Sequence, residues 1–210
     1  MTLNVKVIFF ILMMFCTYFQ PVQGIQKISP GIESFIEESL RYKDRNIRRS
    51  AAYALRNQRG LSDRLRNALA KNLEDKDWLV RRNAIFALSN ENNLSQKIIK
   101  ALEKRLGDKM SEVRSNAAYT LGKQKKLSLE TLKELLKGLD DEVEDVRRSC
   151  AYALGEQKNL PQDILDSLIE RLNGPNKTIY FWAAYVLKYH QNHLSEQIRQ
   201  KIKEIIDQGR

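Results

Sequence analysis

Val80-Arg81-Arg82-Asn83-Ala84-Ile85-Phe86-Ala87-Leu88 follows Ile47-Arg48-Arg49-Ser50-Ala51-Ala52-Tyr53-Ala54-Leu55 and precedes Val113-Arg114-Ser115-Asn116-Ala117-Ala118-Tyr119-Thr120-Leu121. Val146-Arg147-Arg148-Ser149-Cys150-Ala151-Tyr152-Ala153-Leu154 and Ile179-Tyr180-Phe181-Trp182-Ala183-Ala184-Tyr185-Val186-Leu187 complete five copies, evenly spaced from Ile47 through Val80, Val113 and Val146 to Ile179. A fixed period of this length marks stacked supersecondary units, and it outranks local propensity in deciding the fold. Within each copy the first, fifth, eighth and ninth positions are small or aliphatic. On a 3.6-residue helix they share one side, so each copy reads as an amphipathic helix A.

A second helix, B, follows each helix A. It opens at Leu61-Ser62, Leu94-Ser95, Leu127-Ser128, Leu160-Pro161 and, after one inserted residue, Leu194-Ser195. Serine and proline both suit a helix start. The inward stripes of the B helices run Leu65, Leu69, Leu73; Ile98, Leu102, Leu106; Leu132, Leu135, Leu139; Ile164, Leu168, Leu172; and Ile198, Ile202, Ile206. Ile28, Ile32, Ile36 and Leu40 carry the pattern one step back as a half repeat. The chain therefore reads as an all-α solenoid of helix pairs: a single domain over 25–210, with a half repeat at 28–43 and repeats at 44–76, 77–109, 110–142, 143–175 and 176–207.

The string hydrophobic-Arg-Arg-x-Ala-Ala-x-Ala-Leu, with Gly122 and Gly155 closing helix A in the third and fourth repeats, resembles HEAT repeats of the phycobilisome-lyase type over about residues 28–207. The resemblance implies a HEAT-type α-solenoid with its B helices along the concave side. Its implications for function are divided, since such repeats serve as binding scaffolds, bilin lyases, a di-iron hydroxylase and, in related forms, DNA glycosylases. The hydroxylase relies on His-Glu dipeptides, and none occurs here: Gln191 follows His190 and Leu194 follows His193. With two histidines in the chain and no further ligands at suitable spacing, the sequence implies no metal, no cofactor and no catalytic residue, and both histidines read as solvated groups near a helix end.

The start of the chain is of a different kind. Lys6 precedes the 13-residue run Val7 to Phe19, shorter than the roughly 20 residues that span a bilayer as a helix, and Val22-x-Gly24 suits a small-residue cleavage site. Residues 1–24 therefore read as a signal peptide, with export to a periplasm or the extracellular space, the alternative being an uncleaved membrane anchor. Cleavage would remove one positive charge and no negative one from a chain carrying 36 Lys plus Arg against 26 Asp plus Glu, formally +10. Only Cys150 would remain of the two cysteines. It stands in the column of Ala51, Ala84, Ala117 and Ala183 and reads as packing filler.

Three surfaces are candidates for partner binding. In the first, Arg49, Arg82 and Arg148 lie one turn before Tyr53, Phe86 and Tyr152, so each pair can stack, with Tyr119 and Tyr185 continuing the aromatic row. Such residues make good anchors, although they could equally wedge between neighbouring helices. The second is the outward face of helix B, where Lys100, Lys104, Lys133 and Lys137 would make a basic groove between Glu37 and Glu38 at one end and Asp166 and Glu170 at the other. The third is the last repeat, where Tyr180-Phe181-Trp182 replace the Arg-Arg-polar trio as either a contact or a hydrophobic cap. The neighbouring column of Arg48, Arg81, Arg114 and Arg147 reads as structural, in the place of a HEAT-type ladder to acidic residues. Asp44 and Asp77 fit that ladder, whereas Met110 and Val143 depart from it.

Taken together these readings predict an exported, non-catalytic scaffold that binds another protein, one that is acidic or offers an apolar anchor pocket. The alternative is a binder of an anionic glycan or membrane surface through the groove. Nucleic acid is not expected as a partner after export, and a lyase-type enzyme is the third reading.

Overall fold

The computed structural model describes residues 28–208, apart from the side chain of His193. The segment read as a signal peptide lies outside the described residues. Those residues form eleven α-helices and no strand: α1 Pro30–Leu40, α2 Arg45–Ala54, α3 Asp63–Asn72, α4 Trp78–Leu88, α5 Gln96–Glu103, α6 Ser111–Gly122, α7 Leu129–Lys137, α8 Glu144–Gly155, α9 Gln162–Arg171, α10 Lys177–Lys188 and α11 Glu196–Gln208. The expected order of A and B helices is present in every repeat. No described helix is long and apolar enough to cross a membrane.

The chain divides into two compact units, one ending at Leu102 and one beginning at Glu103. In the first, α2 packs on α4 and α1 on α3, with α1 against α2 and α3 against α4. In the second, α6, α8 and α10 form one row and α7, α9 and α11 the other, with α9 and α11 both against α10. Each unit is thus a two-layer stack of helix pairs.

The helix starts are set by side-chain caps. Ser62 and Ser128 accept hydrogen bonds from the backbone N–H groups of Leu65 and Thr131, closing the first turns of α3 and α7. Asp44, Asp77 and Asn176 do the same for α2, α4 and α10. The inward stripes read from the sequence are buried: Leu65, Leu69 and Leu73 in the first unit, and Leu132, Leu135, Leu139, Ile164, Leu168 and Leu172 in the second. Two places differ. Leu106 is only half-buried, because α5 tightens into a 3₁₀ turn at Lys104–Gly107 and swings it off the stripe. In α11 the buried pair is Ile202 and Ile205, while Ile198 and Ile206 are half-buried.

Gly122 and Gly155 end α6 and α8, but their work is to permit close approach. A Cβ on Gly122 would lie 2.7 Å from Ala153 Cα, and one on Gly155 would lie 3.3 Å from the Tyr189 ring. Neither adopts a positive φ. The glycines are therefore where neighbouring helices touch backbone to side chain, not left-handed helix closures.

Candidate functional site

The arginine column holds the repeats together, through partners other than those expected. Arg48 donates from Nε and Nη2 to the Asp75 carboxylate at 2.6 and 3.0 Å, and Arg114 to Asp141 at 2.7 and 2.8 Å. Nη1 of each turns back to the carbonyls that precede its helix, Lys43 and Tyr42 for Arg48, Lys109 and Asp108 for Arg114. Each fork therefore clamps two successive turns, the geometry at which a planar guanidinium excels. The ladder runs to the carboxylate in the turn after the following B helix, so Asp44 and Asp77 are not its rungs: both are helix N-caps, and Met110 and Val143 replace only the cap. The backbone N–H of Met110 and of Val143 bonds Asp108 and Asp141, as that of Asp77 bonds Asp75. Hydrogen bonding to Asp75 and to Asp141 raises the pKa of Arg48 and of Arg114. Burial pushes the Asp141 carboxyl up, but the bonds from Arg114 and the Val143 N–H outweigh it and hold its pKa below the ordinary value.

The second arginine column does not stack as the sequence suggested. Arg49 bonds the Asp77 carboxylate, with Nε at 2.8 Å, and Arg148 pairs with Asp145. Both guanidiniums are drawn to a carboxylate instead of to Tyr53 and Tyr152, because a charge-assisted bond outweighs a half-exposed cation–π contact. Arg82 is exposed. The cations over the rings come from the other side along the chain: Arg56 lies 3.7 Å above the Tyr53 ring and Lys123 5.5 Å from the Tyr119 ring. Helical spacing carried this signal, read forwards from the aromatic.

The aromatic row itself is at the surface. In the first unit Tyr53 is 45% exposed and Phe86 44%; in the second Tyr119 is 42% exposed. Tyr152 and Tyr185 are half-buried. Tyr119 and Tyr152 stack with centroids 5.2 Å apart and ring planes at 23°. The Tyr189 hydroxyl donates to that of Tyr185 at 3.2 Å, a bond that, with burial, pushes the Tyr185 pKa up to about 12. Trp182 is buried and Phe181 is half-buried, edge-on to it at 5.2 Å.

Of the proposed groove, Lys100 is exposed in the first unit and Lys104, Lys133 and Lys137 in the second. Lys133 lies 3.6 Å from Asp163 and Lys137 2.6 Å from Glu134, which lowers the field they present. Glu37 does not flank this face in solvent. It is buried and paired with both Arg41 and Arg64.

One column escaped the sequence reading. Gln58, Glu91, Gln124, Gln157 and His190 recur once per repeat, just after helix A, and all five are buried. The Gln157 amide donates to the Gln124 carbonyl at 3.2 Å, and the Glu91 carboxylate accepts from the Leu61 N–H at 3.1 Å. These side chains satisfy the backbone of the buried A-to-B turns, where no water can. His190, expected in solvent, is 7% exposed because it fills the fifth place of this column. Among the described residues no cluster of three or more His, Cys, Asp or Glu side chains could hold a metal ion.

The family profile for HEAT repeats matches residues 66–155. Over this stretch the chain is similar to HEAT repeats. No curated protein sequence matches it significantly. Among solved structures, the chain is similar to an engineered protein at 18% identity and TM-score 0.54, covering 85% of this chain and 96% of that one. It is also similar to a designed armadillo repeat protein in complex with the peptide (KR)4, at 21% identity and TM-score 0.54 over 84% and 81% of the two chains. A homology model of the full-length AP-3 complex aligns at 17% identity and TM-score 0.69, covering 98% of this chain and 38% of that chain. At these identities the likeness is one of fold.

Proposed function

We propose that this protein is an exported, non-catalytic scaffold that binds another protein through the outward row of aromatic side chains on its A helices. The observation that carries the reading is the exposure of Tyr53, Phe86 and Tyr119, large rings at one position of successive repeats that the core does not use. Rigid aromatics with a nearby cation are favoured anchors, since they bury much area for little lost rotamer freedom. The peptide held by the designed armadillo repeat protein is consistent with a repeat surface of this kind serving a protein partner.

The test is affinity capture with the wild type and with Tyr53→Ala, Phe86→Ala and Tyr119→Ala, at low and at high salt. A partner kept by the wild type at both salt concentrations and lost by the variants supports the row. Exposed Lys104, which has no carboxylate partner among the described residues, favours the second reading, an anionic glycan or membrane surface. Binding of that kind would fall steeply with salt and ignore the three aromatic variants.

A further inference from the structure

A cavity of about 360 Å³ opens at the start of α10, within the second unit, between the last two A helices and the end of α11. Its walls combine three chemistries. Phe181 and Trp182 supply an aromatic corner, their rings 5.2 Å apart at 79°, with Ile205 as an apolar neighbour. Glu144 supplies a carboxylate. Lys177 and Thr178 supply an ammonium and a hydroxyl.

The two charges stand at equivalent places, each the first residue of its helix, one repeat apart. Both are exposed, and among the described residues neither has an ion-pair partner, in the other or elsewhere. By contrast Asp145 beside Glu144 is taken by Arg148, and Asp141 by Arg114. The aromatic trio that makes the corner is peculiar to this repeat, where Arg147-Arg148-Ser149 stand one repeat earlier.

A cavity with opposite unpaired charges fits neither a simple cation, which Lys177 would repel, nor a simple anion, which Glu144 would repel. It fits a zwitterion. The rings are suited to a quaternary ammonium, whose methyl groups pack on the aromatic faces while its charge is drawn to the ring quadrupole and to a carboxylate. A phosphate joined to it would meet the ammonium and the hydroxyl. We propose that the cavity between Glu144, Lys177 and the Phe181–Trp182 corner is a binding site for a phosphocholine group. The site stands whether or not the aromatic row of the earlier repeats binds a protein.

The test uses the full-length protein carrying Trp78→Phe, so that Trp182 is its only tryptophan. Phosphocholine is titrated against tryptophan fluorescence, with tetramethylammonium chloride and inorganic phosphate as the two half-ligands. Saturable binding of phosphocholine is expected, weakened about tenfold by Glu144→Gln or by Lys177→Gln, with both half-ligands weaker by a similar factor. Because both substituted residues are exposed, thermal midpoints should not move. Co-sedimentation with phosphatidylcholine vesicles but not phosphatidylglycerol vesicles would assign the group to a lipid surface, and binding of the free compound alone would assign it to a soluble ligand. The proposal is overturned if phosphocholine does not bind at millimolar concentration, if either half-ligand binds as well, or if the two variants bind it as tightly as the parent.

Discussion

Cys150 Sγ occupies the space that a side chain at residue 138 would need: a Cβ on Gly138 would lie 2.3 Å from it. The cysteine stands in a column of alanines, and its extra sulfur is admitted only because the facing position is glycine. One repeat away that position is Arg105 or Arg171. Burial pushes the Cys150 thiol up to about 12, so it carries no thiolate at neutral pH and stays inert in the folded chain.

Gly138→Ala should therefore destabilise the second unit by about 1 to 3 kcal/mol through overpacking. Residue 138 has φ near −65°, a value alanine adopts freely, so backbone strain does not enter. In the Cys150→Ala background the same substitution should be nearly neutral. Chemical denaturation of the four members of this cycle measures the coupling, and independent effects would refute the contact.

Among the described residues Arg147 lacks the carboxylate rung that Arg48 and Arg114 have. Its Nη1 reaches the carbonyls of Asp141 and Glu142, but its Nε is buried without an acceptor, and Gly174 stands at the place where Asp75 and Asp141 serve Arg48 and Arg114. Gly174→Asp should complete the ladder and raise stability by about 0.5 to 1.5 kcal/mol. The neighbour that a new Cβ meets, the Arg171 carbonyl at 3.3 Å, is close enough to subtract from this gain. A fall in thermal midpoint would show that the turn cannot admit the side chain.

The ion pairs of the two arginine columns also set a pH dependence. The pKa values of Asp77, through its bond from Arg49, and of Asp141, through Arg114, lie below their ordinary value. A carboxyl whose folded pKa is depressed adds stability at neutral pH, and the gain is lost as pH falls from the ordinary value of about 3.9 through the lower folded one. Asp141→Asn should lower stability at pH 7 and flatten the acid limb of a stability–pH curve. An unchanged limb would mean that Asp141 is not held by Arg114.

Leu102 and Lys104 separate the two faces of the B-helix layer. Leu102 is fully buried, and Leu102→Ala should cost about 2 to 5 kcal/mol. Lys104 is exposed, so Lys104→Ala should stay within about 0.5 kcal/mol of the parent. Denaturation midpoints compare them directly.

Residues whose partners are near in sequence were legible. The repeat period, the Ser62 and Ser128 helix starts and the stripes Leu65-Leu69-Leu73 and Ile164-Leu168-Leu172 follow from helical periodicity and capping, which act within a single turn. The same geometry put Tyr53, Phe86 and Tyr119 in one row but left open whether they wedge between helices or stand at the surface, where the structure has them. Their cations did not follow from it, because Arg49 had two suitors and the sequence could not weigh Asp77 against Tyr53.

The chain's own residue order thus determined the helices, their number per repeat and the side each turns inward, since these depend on interactions within one or two turns. The tertiary structure alone decided that Arg48 and Arg114 take the distant carboxylates of Asp75 and Asp141, that Gln157 and His190 are buried in the turns and that Cys150 needs Gly138. Each of these depends on the distance between chain segments that are remote in sequence, and that distance is set by how closely two helices pack, which small residues such as Gly122 and Ala153 control without announcing it in any local pattern.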